Sequence, residues 1–448
     1  MSRARYVLFL GCQIPARHPF TEKSLRVALP RLGVEFAEVD GFTCCPERTL
    51  IETMDEKVWL LAAARNLAVA ERAAEVLITP CNGCYSTLKL VSNRLRSEPA
   101  LRERINRLLA RVDLQYQGRL VVRHIVDLLY TDVGVRRLSQ AVVKPLRGLR
   151  IGVHPGCHQT RPSLGVGFDD PLNPVKLEAL VRALGAEVVD YSTKMLCCGQ
   201  YLGGVGDAED ATAFVRRKLS ELVSLGADAL TTTCPQCFVQ YDTTQSLLER
   251  RGERLHLPVF SYPELLALAL GFSREELGVD RHRTDPTSFF ARWGTIQDGW
   301  SIIERYLPRE FVQHCADCGA CDRLCPVQQH RPSFRPNELI RRVAAGELEA
   351  VLREEEFWHC IDCHTCYEMC PQRFGMERVF LMLKHIAMER GAVPKGIERA
   401  VGEFLKSGRL IAPDERARQS LGMGKLPADG RAELLRLLAE LQKEEQRS

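Results

Sequence analysis

The chain has 448 residues, 61 basic and 57 acidic side chains and 18 cysteines. That length predicts roughly two to four domains with ample core, and the near-balance of charge gives no case for nucleic acid or a lipid surface as partner. No run approaches the ~20 apolar residues of a membrane span, and the apolar run in MSRARYVLFLG is too short for a signal peptide. With so many thiols, the composition predicts a soluble protein of a reducing, cytoplasmic compartment.

The cysteines fall into four sets with none left over. The first is Cys12, Cys44, Cys45, Cys81 and Cys84, and the second is Cys157, Cys197, Cys198, Cys234 and Cys237. They form an internal repeat of one cysteine, an adjacent pair and a C-x2-C, offset by 145 residues at the first cysteine and 153 at the others. The intervening stretches are 31 and 35 residues in the first copy and 39 and 35 in the second. RYVLFLGC, AEVLITPC, LRIGVHPGC and ADALTTTC are short apolar or β-branched runs that stop at a cysteine, as strands do. Between them KVWLLAAARNLAVAERAAE and DATAFVRRKLSELVSLG carry helical periodicity. The alternation predicts duplicated α/β domains over 1–145 and 146–285, with parallel strands and a site at their carboxyl edge.

Five thiolates are one more than a cubane cluster takes. On an extended strand Cys44 and Cys45 would face opposite sides, so they serve one site only in a turn, for which Pro46 and Gly199 are suited. Neighbouring thiolates can bridge different irons of an opened cluster. The alternative is a structural zinc on each C-x2-C pair, with the remaining thiols inert.

The stretch 281–300, RHRTDPTSFFARWGTIQDGW, has a polar start that reads as a linker and aromatics suited to packing, and is the expected interdomain joint. Beyond it, CADCGACDRLCP and CIDCHTCYEMCP match the C-x2-C-x2-C-x3-CP run of two-cluster ferredoxins. In that arrangement the proline directs the fourth cysteine to the neighbouring cube. Cys315, Cys318, Cys321 and Cys370 then hold one [4Fe–4S] cubane, and Cys360, Cys363, Cys366 and Cys325 hold the other. Zinc sites use two spaced pairs, not a triplet with a distant fourth. Between the runs, Leu339, Ile340, Val343, Leu348, Val351 and Leu352 have helical spacing broken at Gly346, and MERVFLMLKHIAMERG continues as a helix ending at Gly391. The segment 286–448 therefore reads as an α-helical two-[4Fe–4S] ferredoxin-like domain, and two adjacent clusters suit an electron relay better than a structural staple. At its end Leu434, Leu435, Leu437, Leu438 and Leu441 mark an amphipathic helix that folds back on its own domain or binds a partner.

The five-cysteine pattern resembles the CCG motif. Two copies in succession resemble the catalytic B subunit of heterodisulfide reductase, and the remainder resembles its C subunit, so nearly the whole chain resembles a B–C fusion. The resemblance implies a noncubane [4Fe–4S] cluster on each complete CCG motif, a small-molecule disulfide split between them, and electrons arriving through the two cubanes. It also implies a flavin-containing A-type subunit and further electron-donor subunits, consistent with the lack of a GxGxxG unit or Walker loop in this sequence. Glycolate oxidase and anaerobic glycerol-phosphate dehydrogenase subunits resemble the same parts, but with the cubane run placed first. Arg17, His18, His158, Arg161 and Lys194 lie near cysteines and are candidates for binding anionic substrate groups, with His158, Arg161 and Lys194 the expected catalytic residues. A rival reading is an electron-transfer module, such as those of aromatic-ring-reducing assemblies, without disulfide chemistry.

Overall fold

The structure is a computed structural model that describes residues 4–445 apart from 254, 313, 316–317, 412 and 424–429. It divides into two compact units, Met1–Gln297 and Asp298–Ser448.

The first unit contains two parallel sheets. One has the order β1 (Ala4–Leu8), β2 (Ala74–Thr79), β3 (Val121–His124). The other comprises β4 (Arg150–His154), β5 (Glu187–Val189), β6 (Ala229–Thr232) and β7 (Val259–Ser261), in the order β5-β4-β6-β7. Parallel strands need helical crossovers that cover both faces, so they read as near-continuous apolar runs. β6 illustrates this, with all four residues buried. The sheets are copies: β1-β2-β3 repeats as β4-β6-β7, and the place of β5 is taken in the first copy by a single parallel bridge between Val7 and Ala37. The two helices expected from periodicity are Glu56–Ala73 and Ala208–Ser224. Each starts on an aspartate cap, Asp55 accepting from the Lys57 and Val58 amides and Asp207 from that of Asp210.

The copies exchange contacts. Helix Pro19–Arg31 of the first packs on helix Tyr262–Ala269 of the second, and helix Lys176–Ala183 of the second packs on Ile125–Leu128 of the first. Asn82, 1% exposed, joins them at the sheet edges: its Nδ2 donates to the Pro155 carbonyl at 3.0 Å and its Oδ1 accepts from the Thr233 hydroxyl at 3.1 Å. The polar start of 281–300 is docked rather than loose. His282 is buried against the Glu264 carboxylate at 2.7 Å, and the Thr284 amide donates to Asp242. The aromatics pack, Phe289 on Phe260 and the Trp293 indole N–H on the Pro145 carbonyl, within a helix (Thr287–Ile303) that contains the division between units.

In the second unit no strand occurs among the described residues. Helices Pro336–Ala344 and Leu348–Glu354 flank Gly346, and Met376–Glu389 stops before Gly391. The six apolar residues with helical spacing between the cysteine runs are buried. Helix Arg431–Glu445 contacts helix Lys395–Ser407, with the Arg431 guanidinium donating to the Lys406 carbonyl. Leu434, Leu435 and Leu438 are half-buried and Leu437 is exposed, while the side chain of Leu441 lies outside the described residues.

Candidate metal centres

Each C-x2-C sits at the start of a helix that follows a strand. Cys81 and Cys234 are the N-cap residues of helices Asn82–Ser97 and Pro235–Arg250, and Cys84 and Cys237 lie in their first turns. The Cys84 amide donates to Cys81 Sγ at 3.5 Å. Unpaired amides and the helix dipole at this end favour thiolate. Both adjacent pairs lie in irregular backbone outside strand and helix, fixed by different means. In the first copy the buried Asn66 accepts from the Thr43 amide and donates to the Cys44 carbonyl, each at 2.9 Å. In the second, Gly199 adopts φ +81° and its amide donates to Cys197 Sγ at 3.4 Å.

All ten cysteines of the two repeats line one cavity of about 60 Å³. The thiols of the first set interact in the order Cys12, Cys44, Cys45, Cys84, Cys81, the sulfurs of the first pair 3.6 Å apart. Those of the second interact in the matching order Cys157, Cys197, Cys198, Cys237, Cys234. Protons are held unevenly along such a file. Contacts from Cys44 and Cys84 pull the Cys45 thiol down to about 6, and Cys84 is pushed up by Cys45, Cys81 and its burial. Cys197 is likewise pulled down by Cys157 and Cys198, and Cys157 is pushed up. Soft thiolates packed this closely fit a thiophilic metal assembly. Among the described residues no group of three His, Cys, Asp or Glu side chains could hold a single metal ion. Ligands of separate corners of a cluster have no need to converge on one point.

The structure brings further groups to this wall. His158 lies on it, its Nδ1 3.8 Å from Glu47 Oε1, and Tyr201 lines the same wall beside that carboxylate. Burial holds the His158 imidazole below its usual range, and burial with the Glu47 charge raises the Tyr201 phenol. Glu47 and Tyr201 escaped sequence reasoning; their position two or three residues after each cysteine pair was the available signal. Behind the second set, the fully buried Lys218 donates to the carbonyls of Thr193 and Lys194 and meets His154 Nδ1 at 3.2 Å. Burial pulls its ammonium down to about 7, opposed by the charges of Cys237, Cys198 and Cys197. Arg161 and Lys194 are not on the cavity wall; Lys194 pairs with Glu178. Arg17 and His18 line a separate pocket.

In the second unit, Cys325, Cys360, Cys363 and Cys366 line one cavity of about 20 Å³, and Cys315, Cys318, Cys321 and Cys370 line another of similar size, to which Cys366 also contributes. Cys325 thus lies with the later run and Cys370 with the earlier one, as the crossed ligand sets require. Burial pushes the Cys321 and Cys366 thiols up, to about 12 and about 11, a penalty that metal ligation would lift.

Two substitutions test these placements. Gly11 has φ +70°, and a β-carbon there would lie 2.6 Å from Cys84 Sγ. Gly11→Ala should remove about four irons per chain, from the first repeat alone; undiminished iron would mean that this close approach is irrelevant to the site. Cys325→Ala should abolish the spectroscopic signal of the cluster built on Cys360, Cys363 and Cys366 while the Cys315 cluster survives. Selective loss of the Cys315 cluster would refute the crossed arrangement.

A cysteine-rich (CCG) domain family matches residues 6–89 and 151–242, and a 4Fe-4S dicluster domain family matches 311–374. The B subunit of the ferredoxin:CoB-CoM heterodisulfide reductase of Methanosarcina mazei is 35% identical over 297 residues, 66% of this chain and 98% of that protein. A protein of Archaeoglobus profundus, named for its likeness to the heterodisulfide reductase B subunit, is 34% identical over 277 residues, 61% of this chain and 93% of that one. The 8-methylmenaquinol:fumarate reductase membrane anchor subunit of Wolinella succinogenes is 31% identical over 284 residues, 63% of this chain and 98% of that protein. Among solved structures, a hypothetical protein from Helicobacter pylori shares the fold, with TM-score 0.52, 14% identity, and 64% of this chain and 53% of that one covered. The chain belongs to the family of heterodisulfide reductase B subunits, and carries a 4Fe-4S dicluster domain on the same polypeptide.

Proposed function

We propose that the chain is the catalytic and relay subunit of a disulfide reductase. The reaction consumes two electrons and two protons, breaks one S–S bond and forms two thiols. The observation that carries this reading is the single cavity lined by both five-cysteine sets, which gives each half of a disulfide its own set. The ten thiolates would hold two noncubane [4Fe–4S] clusters, and the eight cysteines of the second unit two cubanes. Bound there, the clusters supply single electrons and soft iron sites for sulfur.

The chain's own groups supply the rest. Tyr201 Oη, kept protonated by burial and the Glu47 charge, would hold a proton on the wall where a thiolate product would form, and His158 faces the same carboxylate. The Asn82 amide, anchored across both repeats, fixes the floor. Lys218 sets a buried positive group behind the second set, which offsets thiolate charge. Arg161 and Lys194, expected near the substrate, stay outside this scheme.

In the second unit Cys318 and Cys363 are exposed, which suits electron entry from another polypeptide. The relatives are named as subunits, and a flavin-containing A-type subunit would serve as donor. No helix among the described residues is long and apolar enough to cross a membrane. The similarity to the Wolinella succinogenes subunit, whose name carries a different reaction, favours a second reading as an electron-transfer module.

Turnover separates the two. Anaerobically purified chain with native partners should reduce disulfides, and Cys45→Ser or Cys198→Ser should abolish turnover while the dicluster domain still accepts electrons, because serine oxygen does not reproduce soft ligation. Tyr201→Phe should slow turnover about a hundredfold with clusters intact. Electron uptake with no reduction across a panel of disulfides would leave the relay reading standing.

A further inference from the structure

A pocket of about 540 Å³, separate from the cluster cavity, lies along helix Pro235–Arg250. Arg17, Arg250, Arg281 and Arg283 line it, opposed by the single carboxylate of Asp242. That carboxylate is already engaged by the amides of Arg283 and Thr284, each at 2.9 Å. All four arginines are exposed, and none has an ion-pair partner among the described residues. At the pocket's inner end is His18, 4% exposed, with neither ring nitrogen hydrogen-bonded and its ring edge-on to Phe20 and Phe238 at 5.5 and 5.0 Å. A buried imidazole without partners is an unfavourable arrangement that a ligand would relieve. The remaining wall mixes apolar and hydroxyl groups, among them Phe238, Leu247, Thr243 and Ser246.

The repeat shows that this opening is particular to one copy. Tyr85, Leu90 and Asn93 lie 153 residues before Phe238, Thr243 and Ser246. In that copy the same helix face is covered by the chain itself. The Tyr85 hydroxyl donates to the Val166 carbonyl at 2.6 Å, Asn93 Nδ2 donates to the Gly165 carbonyl at 2.7 Å, and Leu90 lies against Gly165. The cover comes from the segment between Cys157 and helix Lys176–Ala183. Its counterpart after Cys12 is short, because helix Pro19–Arg31 begins almost at once. What backbone and apolar side chains fill in one copy, arginines surround in the other.

We propose that this pocket binds a small-molecule acid, an anion with phosphate, sulfonate or carboxylate groups on a partly apolar body. Guanidinium groups grip such oxyanions with paired donors, and the His18 ring completes the inner wall. Phe238 follows Cys237 directly, and Arg17 ends the short helix that begins after Cys12, so occupancy would be felt by cysteines of both sets.

Calorimetric titration of the full, cluster-loaded chain with inorganic pyrophosphate, at fixed ionic strength, tests this. One saturable site is expected, weakened about tenfold or more in Arg250→Gln/Arg283→Gln. Because both residues are exposed, cluster spectra should be unchanged in that variant. Ser246→Trp, which fills the pocket without altering charge, should also block binding. Non-saturable binding, or equal affinity in both variants and the parent, would overturn the proposal. Kinetics with a carboxylated disulfide such as dithiodiglycolate then identify the source of the acid. A raised KM in the arginine variant assigns the pocket to a substrate's charged tail, and an unchanged KM assigns it to a separate acid. This arm alone depends on the disulfide-reductase reading, and the titration stands without it.

Discussion

Ten cysteines drawn onto one small cavity are the constraint around which the first unit is built. As thiolates they would repel one another and resist burial, a cost that ligation to a thiophilic metal assembly offsets. The parallel sheets resolve the placement. Strands β1, β2, β4 and β6 run to the same kind of edge and each leads to a cysteine within a few residues, two of them at the N-termini of long helices where thiolate is favoured. The matching order of thiol interactions in the two copies follows from the shared topology.

Duplication gives two sites of one design, and divergence makes them unequal. The first adjacent pair is pinned by a neutral amide, Asn66, whereas behind the second stands the buried Lys218 with its ammonium held near the point of deprotonation. The two sets therefore differ in the groups that stand behind them. The longer stretch after Cys157 covers one helix face, and the shorter one after Cys12 leaves its counterpart open and basic. The same architecture therefore yields a shared ten-cysteine cavity and, on one side only, a pocket suited to an anion.

Much of this was legible in the sequence, because thiol ligation leaves a spacing record. The repeat, the strand–helix alternation, the helical second unit and the meeting of Cys325 with Cys360, Cys363 and Cys366 all follow from which residues recur and how far apart. Proximity in sequence was a poorer guide to the other side chains. Lys194 lies three residues before Cys197, yet its ammonium turns to Glu178; Arg161 follows Cys157 closely and is absent from the wall. Tyr201 and Glu47 reach the cavity from the short helical segments that follow each cysteine pair, and Lys218 arrives from a helix with no cysteine at all. The polar start of 281–300 looks like a linker by composition, but a buried His282–Glu264 pair docks it. Long-range pairing of this sort has no local signal.

If both repeats hold iron on one cavity able to accept a disulfide, anomalous diffraction at the iron edge will show it in anaerobic crystals of the full chain soaked with a disulfide. Two separate iron assemblies are expected to face each other across the cavity, one on each five-cysteine set, with sulfur density between them. Iron confined to the second unit, with lone zinc ions on Cys81–Cys84 and Cys234–Cys237, would contradict that expectation.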